Sequence, residues 1–215
     1  MMARDDILAA LRAALGTRGA DAAQVRREAA ALLDDLPSTR PVLASADLVA
    51  EFAARLTTPK VAATVDRIAS AAELPAAVRR YTEARGLPPT VALQPAAAIT
   101  ALDWTGFTLH DKVAPDETVA VGVARWGIAE TGSLVFHSGE DTPVLAHFLP
   151  LHHVVLVAAG SIVAYLEDYA IAAAGERPPR NANLVTGASG TTDIEGSLVL
   201  GAHGPRWLHV VIAGA

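Results

Sequence analysis

Cysteine is absent from the 215-residue chain, and this absence excludes several kinds of chemistry. Disulfides, thiolate nucleophiles, zinc–cysteine sites and iron–sulfur clusters held by cysteine would all need a thiol from this chain. Charged residues are also sparse, at 19%, whereas apolar residues make up 52%, a balance that excludes a disordered chain. We therefore expect a substantial core, in one large domain or in one domain with a helical extension.

Basic residues are scarce in the second part of the chain. Residues 1–86 contain 12 Lys/Arg and 11 Asp/Glu, whereas residues 87–215 contain 5 and 12, so net charges of +1 and −7 make up the total of −6. An acidic protein without a basic stripe binds nucleic acid poorly, because contacts to phosphates dominate that affinity. We expect no nucleic-acid partner.

The sequence predicts neither a secretory signal nor a membrane span. Asp5 and Asp6 lie where a signal peptide needs an apolar segment. The longest uncharged stretch, 142–166, contains two prolines and three histidines, which is not typical of a membrane-spanning helix. We expect a cytoplasmic protein.

Residues 1–57 are predicted to form an N-terminal helical segment. Apolar residues recur at helical spacing in three stretches, near Leu11, Leu32 and Phe52. Gly16 and Pro37 mark the ends of the first two stretches. These helices either pack against their own domain or form an arm that binds a partner.

From residue 58 onward, short apolar strands alternate with helices. A capping box at Ser70 and Glu73 predicts the start of one helix, and another helix is predicted to run through Ile162 and Leu166. The alternation predicts an α/β fold of three layers, with a mostly parallel sheet and helices on both faces. The strands predicted at 197–200 and 208–213 are expected to form a hairpin at the end of the chain.

The first candidate site is the segment 125–132. Gly127 and Gly132 lie between two apolar strands and allow a ligand to approach the backbone closely. Glu130 is a candidate acid/base or nucleophile, and Thr131 a candidate ligand contact. The alternative is a tight turn in which Glu130 pairs with Arg125 or caps backbone amides.

The second candidate site is the segment 186–196, in which small residues are followed by hydroxyls and then by acids. Its free amides can hold an anion such as a carboxylate or a phosphate. Asp193 is a candidate catalytic residue, although it can equally cap a turn or helix. The segment has no Walker, dinucleotide or nucleophile-elbow spacing. The candidate ligand-binding residues are Gly187, Ser189, Gly190, Thr191, Thr192 and Glu195.

The third candidate site is the turn around His203. Its imidazole is a candidate acid/base, and Arg206 can hold an anionic substrate, although plain turn chemistry explains Gly204 and Pro205 equally well. Four further histidines lie within 17 residues, at positions 137, 147, 152 and 153. They lack the spacing typical of a zinc site, so we predict no metal.

Four segments, taken in order, resemble the lactate utilization protein C family, which is built on the LUD domain. They are 127–132 (GIAETG), 149–155 (LPLHHVV), 192–195 (TDIE) and 200–206 (LGAHGPR). Each motif is weak alone, but the ordered set is specific from about residue 119 to the C-terminus. The remainder fits in pattern, so we predict a LUD-type α/β domain over residues 58–215.

The resemblance implies a Rossmann-like α/β fold similar to that of ribose-5-phosphate isomerase, glucosamine-phosphate deaminase and the CoA transferases. It also implies that the chain is a subunit of a multi-protein system that oxidises L-lactate to pyruvate, together with two partner proteins. One partner is expected to carry iron–sulfur clusters, and no cofactor is expected in this cysteine-free chain.

Two alternatives stay open. The chain is either an independent enzyme of the acyl-CoA or sugar-phosphate type, or a non-catalytic module that assembles the lactate system. The family usually has Gly-Pro-Ser followed by a basic residue, so Gly190 replaces a side chain able to hold an anion. The resemblance assigns no catalytic role. Glu130, Asp193 and His203 are therefore candidates on their chemistry, and we predict that their three segments line one cleft.

Overall fold

The computed structural model describes residues 2–15, 21–192 and 198–214. The chain divides into two compact units, Met1–Val42 and Leu43–Ala215. The first unit contains the helices α1 (Met2–Leu15), α2 (Ala22–Asp34) and α3 (Leu36–Thr39). The sequence analysis predicted a boundary between residues 57 and 58. The helix Leu48–Leu56 precedes that predicted boundary but belongs to the second unit, which begins at Leu43.

The second unit alternates helices and strands along the chain. Its helices are α4 (Leu48–Leu56), α5 (Leu74–Glu83), α6 (Ala97–Thr100) and α7 (Leu166–Ala173). Its strands are β1 (Thr64–Ile68), β2 (Thr90–Leu93), β3 (Thr108–His110), β4 (Val119–Val123), β5 (Trp126–Ile128), β6 (Ser133–His137), β7 (His152–Ala158), β8 (Ile162–Val163), β9 (Ala182–Val185), β10 (Gly190–Thr192), β11 (Leu198–Leu200) and β12 (Trp207–Ala213).

Six of these strands form a parallel central sheet in the order β1-β12-β7-β4-β2-β3. On one side of the sheet, α5 and α6 contribute Leu74, Val78 and Ile99 to a buried cluster. On the other side, α4 packs together with a second, four-stranded sheet in the order β8-β5-β6-β9. Parallel sheets are covered on both sides, which explains why β4, β7 and β12 are almost continuously apolar. The predicted three-layer α/β fold is confirmed.

Three local predictions are wrong. Strand β12 pairs in parallel with β1 and β7 instead of forming a terminal hairpin, because its buried residues Leu208–Ile212 need cover on both faces. Strand β11 pairs instead with β10. Ile162 lies in β8, and the helix begins only at Leu166. Ser70 makes no side-chain capping bond, so the predicted capping box does not form.

The direction of the parallel strands distinguishes two edges of the central sheet. We refer to the edge where the strands end, at Leu93 and Val123, as the carboxyl edge. The amino edge is where they begin, at Thr64, His152 and Trp207. Open α/β sheets usually bind ligands at the carboxyl edge. Among the residues that the structure describes, no helix is long and apolar enough to cross a membrane.

Candidate functional site

A cavity of about 760 Å³ lies at the carboxyl edge. Gln94 follows β2, Arg125 follows β4, and His137 ends β6, so three neighbouring elements deliver polar side chains to one place. A volume of this size is within the range that small-molecule sites occupy. The other lining residues are Ala96, Ala97, Ala98, Val123, Ser138, Gly139, Asp141, Thr142, Arg177, Pro178, Pro179 and Arg180.

Positive charge is concentrated in this cavity. Only five Lys/Arg residues follow position 86, and three of them, Arg125, Arg177 and Arg180, line it. Within the described part of the chain, Arg177 and Arg180 are exposed and form no ion pair. Pro178 and Pro179 restrict the backbone between them, and guanidinium groups bind carboxylates and phosphates through paired hydrogen bonds. The cavity is therefore suited to an anion.

His137 lines the cavity as a buried polar residue, as do Gln94 and Thr142. Its Nε2 lies 2.8 Å from the hydroxyl of Tyr169, and its Nδ1 lies 3.5 Å from Nη1 of Arg125. Arg125 donates to Glu176 at 2.7 Å and lies over the ring of Trp126. These contacts join a histidine, a tyrosine and an ion pair in one network.

The environment shifts the pKa values of two members of this network. Burial, followed by the charge of Arg125, lowers the pKa of His137, whereas Glu176 acts in the opposite direction. Burial and then Glu176 raise the pKa of Tyr169. Both shifts favour the neutral forms of the two side chains.

Gln94 fixes the floor of the cavity. Its Oε1 accepts a hydrogen bond of 2.9 Å from the amide of Val123, and its Nε2 donates to Oγ1 of Thr142 at 3.2 Å. A Cβ at Gly122 would lie 2.9 Å from Gln94 Oε1 and 3.0 Å from His153 Nε2. The glycine therefore allows two polar side chains to pack against the strand.

Glu130 lies at the other end of β6 from His137. Its Oε1 accepts a 2.7 Å hydrogen bond from the amide of Leu166, at the start of α7. Glu130 thus caps a backbone amide, as in the alternative to a catalytic role that the sequence left open. Gly127 and Gly132 pack tightly against α4. A Cβ added at Gly127 would lie 3.0 Å from the ring of Phe52, and one added at Gly132 would lie 3.0 Å from the side chain of Arg55.

Hydrogen bonds join the three predicted segments. Thr131 Oγ1 lies 2.7 Å from Ser133 Oγ, which lies 2.6 Å from Thr186 Oγ1. The amide of Ser189 donates to the carbonyl of Pro205 at 2.8 Å. The amide of Ala188 also donates to the carbonyl of Val61, which lies just before the start of β1. The bonded segments therefore lie toward the amino edge, where β1 begins.

The predicted anion-binding segment is more regular than a loop. Gly187 has φ +90° and packs against Val61, whereas Gly190, Thr191 and Thr192 form β10 and pair with β11. Asp193 and Glu195 lie outside the described residues.

His203 and Arg206 lie near the amino edge. His203 lines a second cavity, of about 550 Å³, together with Asp116, Glu117 and Phe148. Neither Glu130 nor any described residue of 187–192 lines that cavity. Arg206 lies over the ring of Trp207. The predicted segments are therefore neighbours, but Glu130 and His203 do not share this cavity. Their catalytic roles stay predictions.

The four clustered histidines occupy three different environments: His147 and His153 have neighbouring rings, with centroids 5.6 Å apart, whereas His137 and His152 each lie elsewhere. His152 and His153 are consecutive on β7 and therefore point to opposite faces of the sheet, toward Tyr81 and toward Phe136. His147 also stacks on Phe136, at 4.0 Å. Among the described residues, no group of three or more His, Asp or Glu is placed to hold a metal ion.

Sequence reasoning missed the carboxyl-edge cavity. The available signal was Arg177-Pro178-Pro179-Arg180, a pair of basic residues in a segment otherwise almost devoid of them. His137, at the end of a buried strand, was a second signal. Neither signal shows that the Arg177–Arg180 segment and the strand that ends at His137 meet in the folded chain.

Comparisons with known proteins show which family part of this chain is similar to. The family model for the LUD domain matches residues 114–213. A lactate utilization protein C of Halalkalibacterium halodurans is 31% identical over 100 residues, 44% of each chain. One from Anoxybacillus flavithermus is 30% identical over 105 residues, 47% of each chain. The matched segment thus spans less than half the length of these curated relatives.

A solved structure shows the same fold. The crystal structure of a DUF162 family protein from Deinococcus radiodurans has a TM-score of 0.58 and 22% identity, covering 79% of this chain and 98% of that one. At this identity the likeness concerns the fold alone. The family model and these relatives therefore show that residues 114–213 are similar to the LUD domain and that about half of the chain is similar to lactate utilization C proteins.

Proposed function

We propose that this chain takes part in lactate utilization, as a subunit of a cytoplasmic multi-protein system that oxidises L-lactate to pyruvate. The match to the LUD domain and the names of the similar proteins support a role in lactate utilization. The observation that carries the proposal is the carboxyl-edge cavity, where Arg125, Arg177 and Arg180 meet. Lactate and pyruvate are carboxylates, a type of anion that guanidinium groups bind through paired hydrogen bonds.

Each group in the cavity has a distinct role in this proposal. Arg177 and Arg180, which form no ion pair within the described residues, bind the ligand carboxylate. His137, held by Tyr169, exchanges a proton with the hydroxyl or keto oxygen of the ligand. The ligand binds where the parallel strands end, as is usual in this fold class.

Electron transfer is assigned to partner proteins. This chain has no cysteine, so it cannot hold an iron–sulfur cluster through thiolates. We propose two partners, one of which carries such clusters and accepts the electrons from lactate. The cavity has room for more than a three-carbon acid, which leaves space for a partner's group beside the substrate.

A second candidate function is a non-catalytic module that assembles this system. The bond between Glu130 and the amide of Leu166 favours it over an acyl-transfer enzyme, because a nucleophilic Glu130 would first have to release that helix terminus. Under this alternative, the cavity arginines are not needed for lactate oxidation.

Growth on lactate tests the proposal. We expect a strain without this chain to grow on pyruvate but not on L-lactate, and the wild-type chain to restore growth. The double variant Arg177→Ala/Arg180→Ala should fail to restore it. The matched control is Arg26→Ala/Arg27→Ala, which removes two arginines from α2 in the other unit. Normal growth of the deletion strain on lactate would refute the role in lactate utilization.

Binding to the purified chain separates the two candidates. We expect calorimetry with pyruvate to show an affinity roughly ten- to a hundred-fold weaker for the double variant, the loss typical of hydrogen bonds to charged groups. A deletion strain that fails on lactate but is rescued by the double variant would favour the assembly module.

A further inference from the structure

The carboxylate of Glu176 contacts two residues that line the carboxyl-edge cavity, Arg125 and His137. Its Oε1 accepts from Nη2 of Arg125 at 2.7 Å, and its Oε2 lies 3.8 Å from Nδ1 of His137. Glu176 directly precedes the Arg177–Arg180 segment, which supplies the two other guanidinium groups, and it is linked to the cavity wall through its contacts with Arg125 and His137.

Two carboxylates offset part of the positive charge of the cavity. Three guanidinium groups, from Arg125, Arg177 and Arg180, face two carboxylates, those of Asp141 and Glu176. Asp141 accepts a hydrogen bond from Thr142, whereas Glu176 pairs with Arg125. The five charges leave a single positive charge, enough to neutralise one carboxylate.

We propose that Glu176 is a specificity-determining residue, which restricts the cavity to ligands with one carboxylate. This inference rests on the proposed binding of a carboxylate at the carboxyl edge. Glu176 neutralises Arg125, so only the arginines at positions 177 and 180 remain to bind an anion. A second carboxylate on the ligand would find its arginine occupied and a like charge beside it.

The exposure of the Arg125–Glu176 ion pair suits a role in ligand selection better than a role in stabilising the fold. The side chains of Arg125 and Glu176 are 48% and 34% exposed, and ion pairs at such exposure contribute little to folding. Loss of the Glu176 charge should therefore change ligand choice more than it changes stability.

The experiment compares two three-carbon acids, pyruvate with one carboxylate and malonate with two. Calorimetry measures both affinities for the full wild-type chain, for Glu176→Gln and for the control Glu83→Gln at the end of α5. We expect the wild type to prefer pyruvate. In Glu176→Gln, the ratio of malonate affinity to pyruvate affinity should rise by up to roughly five-fold, the size of one exposed ion pair.

The outcomes separate this inference from the proposed function. If the wild type binds pyruvate but Glu176→Gln leaves the malonate-to-pyruvate ratio unchanged, the specificity role is wrong and the carboxylate site stands. If no chain binds either acid, the carboxylate site itself is wrong, and this inference fails with it. A thermal midpoint for each variant verifies folding, and Glu176→Asp, which restores the charge, should restore the preference for pyruvate.

Discussion

The hydroxyl of Tyr81, on helix α5, lies 2.9 Å from Nδ1 of His152, the first residue of strand β7. The ring of Tyr81 also stacks on His209 at 4.4 Å, and that of His152 stacks on Trp207 at the same distance. Hydrogen bonding and ring packing thus close the amino edge of the central sheet around groups that are far apart in the chain.

We expect Tyr81→Phe to destabilise the protein by about 1–3 kcal/mol, because it leaves the buried His152 Nδ1 without its partner. Urea unfolding followed by circular dichroism measures the change. Trp104→Phe, which instead removes the bond from the indole to the carbonyl of Ile99, provides a comparison elsewhere in the same core. An unchanged urea midpoint for Tyr81→Phe would show that the bond contributes nothing.

Acidification should destabilise the fold through buried histidines. Burial lowers the pKa of His147 to about 4, and burial together with His147 lowers that of His153 to about 3. In the unfolded chain both return toward the ordinary value of 6.5 and take up protons. Because the unfolded state then binds more protons, the free energy of unfolding should fall progressively from about pH 7 toward pH 4.

His147→Phe tests the source of this pH dependence. Both ring nitrogens of His147 are buried without a partner, and its ring stacks on Phe136, so phenylalanine preserves the packing. We expect little change in stability at pH 8 and a gain on the order of 1–2 kcal/mol at pH 5 relative to the wild type. Equal losses of stability between pH 8 and pH 5 in both proteins would assign the effect to other groups.

Gly187 should not tolerate a side chain. Its φ of +90° is unfavourable for other residues, and an added Cβ would clash with the carbonyl oxygen of Val61. We expect Gly187→Ala to cost about 1–3 kcal/mol. Gly160→Ala is the matched control, because no atom lies within 4 Å of its Cβ position, and it should change stability by less than about 0.5 kcal/mol. Similar thermal midpoints for the two variants would contradict this account.

Substitutions at Glu130 distinguish a helix cap from a catalytic group. Glu130→Ala removes the acceptor for the Leu166 amide and should cost about 1 kcal/mol, whereas Glu130→Gln retains an acceptor oxygen and should cost less. For a cap, both variants should restore growth of the deletion strain on lactate. A stable Glu130→Gln chain that fails to restore growth would instead support the catalytic role predicted from the sequence.

The prediction of the fold succeeded where local pattern and burial agree. The nearly continuous apolar residues of β4, β7 and β12 are visible in the sequence, and they predict a parallel sheet that is covered on both faces. It failed for β12, whose neighbours in the sheet, β1 and β7, lie far away in sequence. Strand pairing depends on tertiary packing, which local periodicity does not encode.

The candidate site shows the same division. Composition revealed that basic residues are scarce after position 86 and that this chain holds no thiol. Only the tertiary structure brings Arg125, His137 and the Arg177–Arg180 segment to one edge of the sheet, and only it places Glu130 against a helix terminus. The physical reason is that side-chain chemistry belongs to each residue, whereas a cavity exists only where chain crossings bring remote residues together.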